Sequence, residues 1–320
     1  MGSGTSWTRR QFLQGTLLVG SLPAMGGCGA FGFGDTLQRI RDEGVIRLGV
    51  AGERPYAYLE GGSLVGATAA VHRAVFRRLG DIEVRGVQTG FGNLINALNA
   101  GAVDSVAAGM FVTASRCDRV AFSDPVYCAP SGMLVPRGNP DGVRDYASVA
   151  RSGTTLTVLA GGVEEEYARG AGVSADLIAP VGSQQQGLEM VADGEAGAFT
   201  LTHVSLRALL DITRQTAGGG LPGGAAEPVA ERVELLDPFI PVVDGEVQLG
   251  CGAAAFRKPD TDLREAFDRE LRALRAEGTV LELMSEYGFT AAEMPAPAIT
   301  TERLCRTGGV TGADIDPLPR

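Results

Sequence analysis

Histidine and tryptophan are nearly missing from this chain: two of the former and one of the latter in 320 residues. Without a His/Cys cluster at ligand spacing, a zinc site has nothing to form from. Lys and Arg total 28 against 38 Asp and Glu, a net charge of −10 with no basic stripe, which argues against a nucleic-acid partner. No Ser/His/Asp arrangement for nucleophilic catalysis is visible; His72 and His203 have no sequence-evident partner. What is abundant is ordinary globular material: a hydrophobic share of 44%, enough for a substantial core and for about two domains.

The first thirty residues read as an address. Thr8-Arg9-Arg10-Gln11-Phe12-Leu13 is a twin-arginine sequence, and the apolar run at residues 15–25 is far too short to span a bilayer. Met25-Gly26-Gly27-Cys28 resembles the lipobox of bacterial lipoproteins, so Cys28 is the expected lipidated N-terminus after removal of residues 1–27. That removal takes away Arg9 and Arg10, leaving 26 basic against 38 acidic residues, or −12. The protein is expected on the extracytoplasmic face of the membrane, where Cys117, Cys128, Cys251 and Cys305 form two disulfides. Three connectivities are open. The short loop between Cys117 and Cys128 makes that pair the least costly to close, leaving Cys251 with Cys305.

Past the leader, helical and strand patterns alternate. Asp35 caps a helix over 36–41, and strands follow at 45–50, 82–87 and 105–108, with helices at 69–79 and 94–98. A second set has strands at 155–159, 177–181 and 198–202 and helices at 162–169 and 184–192. Both sets predict a parallel α/β layer. Residues 216–227, rich in Gly, predict a surface loop. Helices are expected again over 262–277 and 280–287, before a Pro-, Thr- and Gly-rich tail.

Three segments carry a resemblance. Glu53-Arg54-Pro55-Tyr56, Ala107-Ala108-Gly109-Met110-Phe111 with Arg116 five residues on, and Ala121-Phe122-Ser123-Asp124-Pro125 resemble the solute-binding components of polar amino-acid ABC importers. Arg116-Cys117, Tyr127-Cys128, Val149 after Asp145-Tyr146-Ala147-Ser148, Pro238 to Gly245 and Gly250-Cys251-Gly252 bring the ectoine and hydroxyectoine binding proteins nearest. The resemblance, over about residues 35–290, implies a two-lobed α/β fold of the type II periplasmic binding kind with a ligand cleft between the lobes. The chain would cross twice, with lobe I at 35–128 and 250–320 and lobe II at 129–249. It also implies ABC permease and ATPase subunits as partners, a monomer, no cofactor and no enzymatic activity.

Ectoine is a compact cyclic zwitterion with a carboxylate and a delocalised amidinium. A guanidinium grips a carboxylate through parallel hydrogen bonds, which suits Arg116. Tyr56, Phe91 and Phe111 match the family's aromatic box for the diffuse cation. Glu53 matches its acceptor for the ring N–H groups. Tyr56, Phe91 and Phe111, with Glu53 beside Tyr56, follow strands of the first set at their carboxyl ends, where open α/β sheets bind ligands. Taken singly, Phe91 reads as core and Glu53 as a solvated charge; together they read as a site. In lobe II, Thr202 occupies the position where relatives that bind α-amino acids carry an Asp, which argues for a ligand without a primary ammonium. Gly161-Gly162, opening a helix, offers N–H groups to an anion. Gly66-Ala67-Thr68-Ala69 lacks the acidic residues common after that glycine, which bears on fine specificity. Three alternatives remain beside ectoine: another zwitterion such as a betaine or a cationic amino acid, an enzyme of the dehydratase or lytic transglycosylase kind, and a ligand-sensing ectodomain.

Overall fold

β-Branched residues bunch in Val45–Val50, and the strand they make is covered on both faces towards its end, with Leu48, Gly49 and Val50 all buried. In the computed structural model, which describes residues 36–217 and 227–311, this strand anchors the first of two five-stranded sheets. Its order is Glu83–Gln88, Val45–Val50, Ser105–Val106, Ala255–Phe256, Ala121–Phe122. The first three run parallel, while Ala255–Phe256 is antiparallel to both of its neighbours. The second sheet runs Ile178–Val181, Leu156–Leu159, Ala198–Thr202, Ser131–Pro136, Val233–Leu235. Again the first three strands run parallel, and Ser131–Pro136 is antiparallel to both of its neighbours. Each layer is thus mixed rather than wholly parallel, because the chain enters and leaves each sheet through strands added at one side.

The helix Thr261–Ala276 buries Leu263, Ala266, Phe267, Leu271 and Leu274, a stripe at helical spacing. It packs on Ala67–Arg78 with Phe267 against Phe76, ring centroids 6.0 Å apart. The expected elements at 45–50, 184–192 and 198–202 have the observed bounds, and the others differ by a few residues at their ends. Helix His203–Ala217 runs into the segment expected to be loop; residues 218–226 lie outside the described residues, as do the twin-arginine segment, Cys28 and Asp35.

The chain passes between the sheets on two adjacent strands. Tyr127–Ala129 leads to the second sheet and Glu246–Gly252 leads back, paired antiparallel with Tyr127 opposite Gly252 and Cys128 opposite Cys251. That register corrects the expected disulfides. The bonds are Cys128–Cys251, across the two crossing strands, and Cys117–Cys305. Closing a short loop is entropically cheap, but only side chains that meet can bond. Cys117 ends the short helix Ala114–Cys117, which packs against the C-terminal helix Thr301–Thr307 that carries Cys305. The tail is likewise more ordered than its composition implied, since Val310–Thr311 adds a strand beside Glu246–Gly252.

Candidate functional site

Tyr56 sits on the loop that leaves Val45–Val50, and backbone bonds hold that loop in place. Tyr56 N–H donates to Glu53 O, 3.0 Å, and the start of helix Ala67–Arg78 donates back through Ala67 N–H to Pro55 O, 2.8 Å. Thr68 Oγ1 ties the Tyr56 and Ala107 carbonyls together, so two strand-end loops share one hydroxyl. The segment lacking acidic residues at 66–69 therefore supports the loop that carries Tyr56. Gly109, at φ +70°, makes room for the Tyr56 ring, which a Cβ there would meet at 2.5 Å. Tyr127 stacks behind Tyr56 with centroids 5.1 Å apart and donates its hydroxyl to Gly109 O, 2.7 Å.

Phe111 is placed by the strands that cross between the sheets. It bridges to Gly252, and a Cβ on Gly250 would lie 2.0 Å from its ring. Phe91 opens a short 3-10 turn, Phe91–Asn93, ahead of the helix Leu94–Asn99. Arg116 lies in Ala114–Cys117, whose N-cap Thr113 accepts from Arg116 N–H. Its guanidinium donates to Phe111 O at 2.8 Å and, across the cleft, to Gly161 O at 3.0 Å; it stands 5.5 Å from the Phe91 ring centroid. Two of five N–H groups are used in this way, which leaves donors for a carboxylate.

These residues converge. Glu53, Tyr56, Phe91, Phe111, Arg116, Gly162 and Thr202 line one small cavity of about 20 Å³ between the two sheets, together with Gly109, Leu159, Val163, Glu164 and Leu201. The cleft is closed. Tyr56 Oη and Thr202 Oγ1 are 2.7 Å apart, and Ser205 Oγ lies 2.6 Å from Glu53 Oε1. A wider recess, open to solvent, lies beyond the wall of Glu53, Phe91 and Leu159 and is lined on its far side by Gln184, Leu209 and Ile212. Gly162 N–H donates to Leu159 O, 2.8 Å, so it closes a turn in this state.

Ser205 Oγ donates to Glu53 Oε1 and is also 2.7 Å from the Arg54 carbonyl, so one hydroxyl holds both the acid and the loop beside it. Burial raises the Glu53 carboxyl to about 8, and the Ser205 bond partly offsets that rise.

Glu164, Ser205 and Tyr127 were not legible as site residues. Glu164 is one of three consecutive acids in the first turn of helix Glu164–Gly170, a position that favours acids for electrostatic reasons alone. Ser205, three residues past Thr202, carries no signal until helix and strand are placed. The histidines stand apart. His72 is buried against Phe267, bonds Thr68 O through Nδ1 and is lowered to about 4 by burial. His203 begins its helix half-buried and does not line the cavity.

Comparison with known proteins agrees with this geometry. Residues 46–290 match the model of the bacterial extracellular solute-binding proteins, family 3. The probable amino-acid ABC transporter periplasmic-binding protein y4tE of Sinorhizobium fredii is 31% identical over 84% of this chain and 86% of its own length. The arginine-binding extracellular protein ArtP of Bacillus subtilis is 26% identical over 74% of this chain and 82% of its own. Among solved structures, EhuB in complex with hydroxyectoine is 32% identical, with a TM-score of 0.71 over 85% of this chain and 98% of that one. Two mixed sheets joined by two crossing strands, with a cavity between them, are the type II periplasmic binding fold, and the chain belongs to the bacterial extracellular solute-binding proteins of family 3.

Proposed function

We propose that this protein is a lipid-anchored receptor that binds ectoine or 5-hydroxyectoine between its lobes. It then hands the solute to the permease and ATPase subunits of an ABC importer. The observation that carries the reading is the convergence of Arg116, Glu53 and the rings of Tyr56, Phe91 and Phe111 on one closed cavity. A carboxylate fits the free edge of Arg116, and a ring amidinium fits the aromatic faces with Glu53 as an acceptor. Likeness to the hydroxyectoine complex of EhuB supports the same solute class. Thr202 and the Gly161-Gly162 turn close the site from the second lobe. Lobe boundaries at 35–128 with 250–320, and at 129–249, go with this reading, as do twin-arginine export, lipidation at Cys28, a monomeric state and a transport rather than an enzymatic role.

A cationic amino acid is the second reading, favoured by one specific observation: the cavity carries two acids, Glu53 and Glu164, against one guanidinium. Isothermal titration of the mature protein against ectoine, hydroxyectoine, glycine betaine, proline betaine and arginine separates the two. Tight binding of ectoine or hydroxyectoine alone is expected. Tight binding of arginine with no heat from ectoine would replace the first reading by the second.

A further inference from the structure

Glu164 is the one long charged side chain that the second lobe places in the cavity. It is 7% exposed, whereas its neighbours in the acidic triple face outward: Glu165 pairs with Arg169 at 2.9 Å, and Glu166 is exposed. A buried carboxylate needs hydrogen bonds or a cation. Glu164 accepts from its own backbone N–H, and its Oε2 sits so close to Gly162 that a Cβ there would be 2.3 Å away. Among the described residues no ion pair closes on it. Arg116 shares the cavity, but its guanidinium bonds the carbonyls of Phe111 and Gly161.

Burial raises the Glu164 carboxyl, opposed by that N–H and by the charge of Arg116. Glu53 has no such cation beside it, and burial raises its carboxyl to about 8 against the Ser205 bond. The closed cavity therefore holds one guanidinium and two buried acids, and among the described residues no ion pair closes on either acid. The buried hydroxyls that feel Glu164, those of Tyr56, Tyr127, Tyr146 and Tyr167, are all pushed upward by burial and so uncharged.

Resting on the reading of this cavity as the solute site, we propose that Glu164 is the counter-charge for the solute's cation. The site then selects zwitterions: the carboxylate goes to Arg116, and the N–H-bearing cation goes between Glu164 and the aromatic faces. Glu164 restores, from another position of the second lobe, the acid that the chain lacks at Thr202. The absence of Asp at 202 consequently does not exclude a ligand with an ammonium group.

The test is isothermal titration of the mature parent, Glu164→Gln and Glu164→Asp with three probes: ectoine, arginine, and cyclohexanecarboxylate, which keeps a six-membered ring and the carboxylate without the cation. Glu164→Gln should weaken ectoine about tenfold to a hundredfold, the range of a hydrogen bond to a charged group. It should leave cyclohexanecarboxylate unchanged or tighter, and Glu164→Asp should recover part of the ectoine affinity. Equal loss for ectoine and cyclohexanecarboxylate, or no loss for ectoine, overturns the proposal. If the parent ignores ectoine but binds arginine, and Glu164→Gln loses arginine, the ectoine reading falls and the counter-charge role stands. A parent that binds neither zwitterion overturns both. Should Glu164→Gln fail to fold, as judged by its thermal transition, Glu164→Asp against the parent decides on the same comparison of probes.

Discussion

The wall of the cleft that follows the first sheet brings Glu53, Tyr56, Phe91, Phe111 and Arg116 to the cavity, whereas the wall that follows the second brings Leu159, Gly162, Val163, Leu201 and Thr202, with Glu164 as its one charged side chain. The first set is large, aromatic or charged, and is held by bonds within its own lobe, such as Thr68 to Ala107 O and Tyr127 to Gly109 O. The second set is small or aliphatic and reaches across mainly by single polar contacts: Gly161 O to Arg116, Thr202 to Tyr56, Ser205 to Glu53. The difference teaches a division of labour. On the proposed function, one wall recognises the solute and the other closes on it, with Glu164 as the exception.

Removing the guanidinium breaks the recognising wall most severely. If the solute's carboxylate lies buried against Arg116, Arg116→Ala leaves that carboxylate without a partner, at a cost on the order of 3 to 5 kcal/mol. Titration with ectoine should show binding nearly abolished. The thermal midpoint without ligand should stay close to the parent's, because in an open cleft water can serve the Phe111 and Gly161 carbonyls. Unchanged ectoine affinity would remove Arg116 from the site, and a collapsed midpoint would make it a structural residue.

The joint between the walls is tested through Cys128 and Cys251. Replacing both by Ala removes a cross-link between residues 123 apart in sequence, and the expected loss of stability is about 2 to 5 kcal/mol by chemical denaturation. Ligand affinity should change far less, since neither cysteine lines the cavity. A larger effect on affinity than on stability would show that the bond sets the closure itself.

Glu53 sharpens the comparison through pH. Its carboxyl is raised by burial in the closed form to about 8, from an ordinary 4.5. The closed form thus holds a proton that the open or unfolded form gives up, so its stability is fully present below about pH 4.5 and is lost as pH rises towards 8. The unliganded closed population, followed by small-angle scattering, should fall over that window. Glu53→Gln should flatten the dependence, and a profile unaltered by this change would assign it to another group.

Truncating an aromatic face has a smaller effect. Phe111→Leu keeps apolar bulk and removes the π surface, so ectoine affinity should fall by about 1 to 2 kcal/mol. Cyclohexanecarboxylate, which has no cation, should be nearly indifferent. Equal losses for the two would make Phe111 a packing residue.

The unequal walls also explain what was legible in the sequence. Strands such as Val45–Val50 and Ala198–Thr202 announce themselves through local pattern, and the residues of the first wall follow such strands, so strand ends group side chains that the structure places around one cavity. Glu164 and Ser205 were hidden because their inward direction depends on how the second lobe closes. The disulfides were mispaired for a related reason. Cys128 meets Cys251 only through the register of two strands far apart in sequence, and Cys117 meets Cys305 only once the tail has folded back.

Thr202 tests the closing wall with the least disturbance. Thr202→Val keeps the shape of the side chain and removes the hydroxyl, which contacts Tyr56 Oη at 2.7 Å and accepts from Ser205 N–H. Both partners have alternatives: in the open cleft the Tyr56 hydroxyl reaches water, and the Ser205 N–H lies in the first turn of a helix, where such donors are often served by water. The net loss should be about 0.5 to 1.5 kcal/mol, the worth of an ordinary hydrogen bond. Because the bond is made between lobes rather than to the solute, the loss should fall on closure and weaken every solute by the same factor. Titration of Thr202→Val against ectoine, hydroxyectoine and arginine reads that factor. If one solute loses tenfold while the others keep their affinity, Thr202 contacts the ligand directly, and the second wall recognises as well as closes.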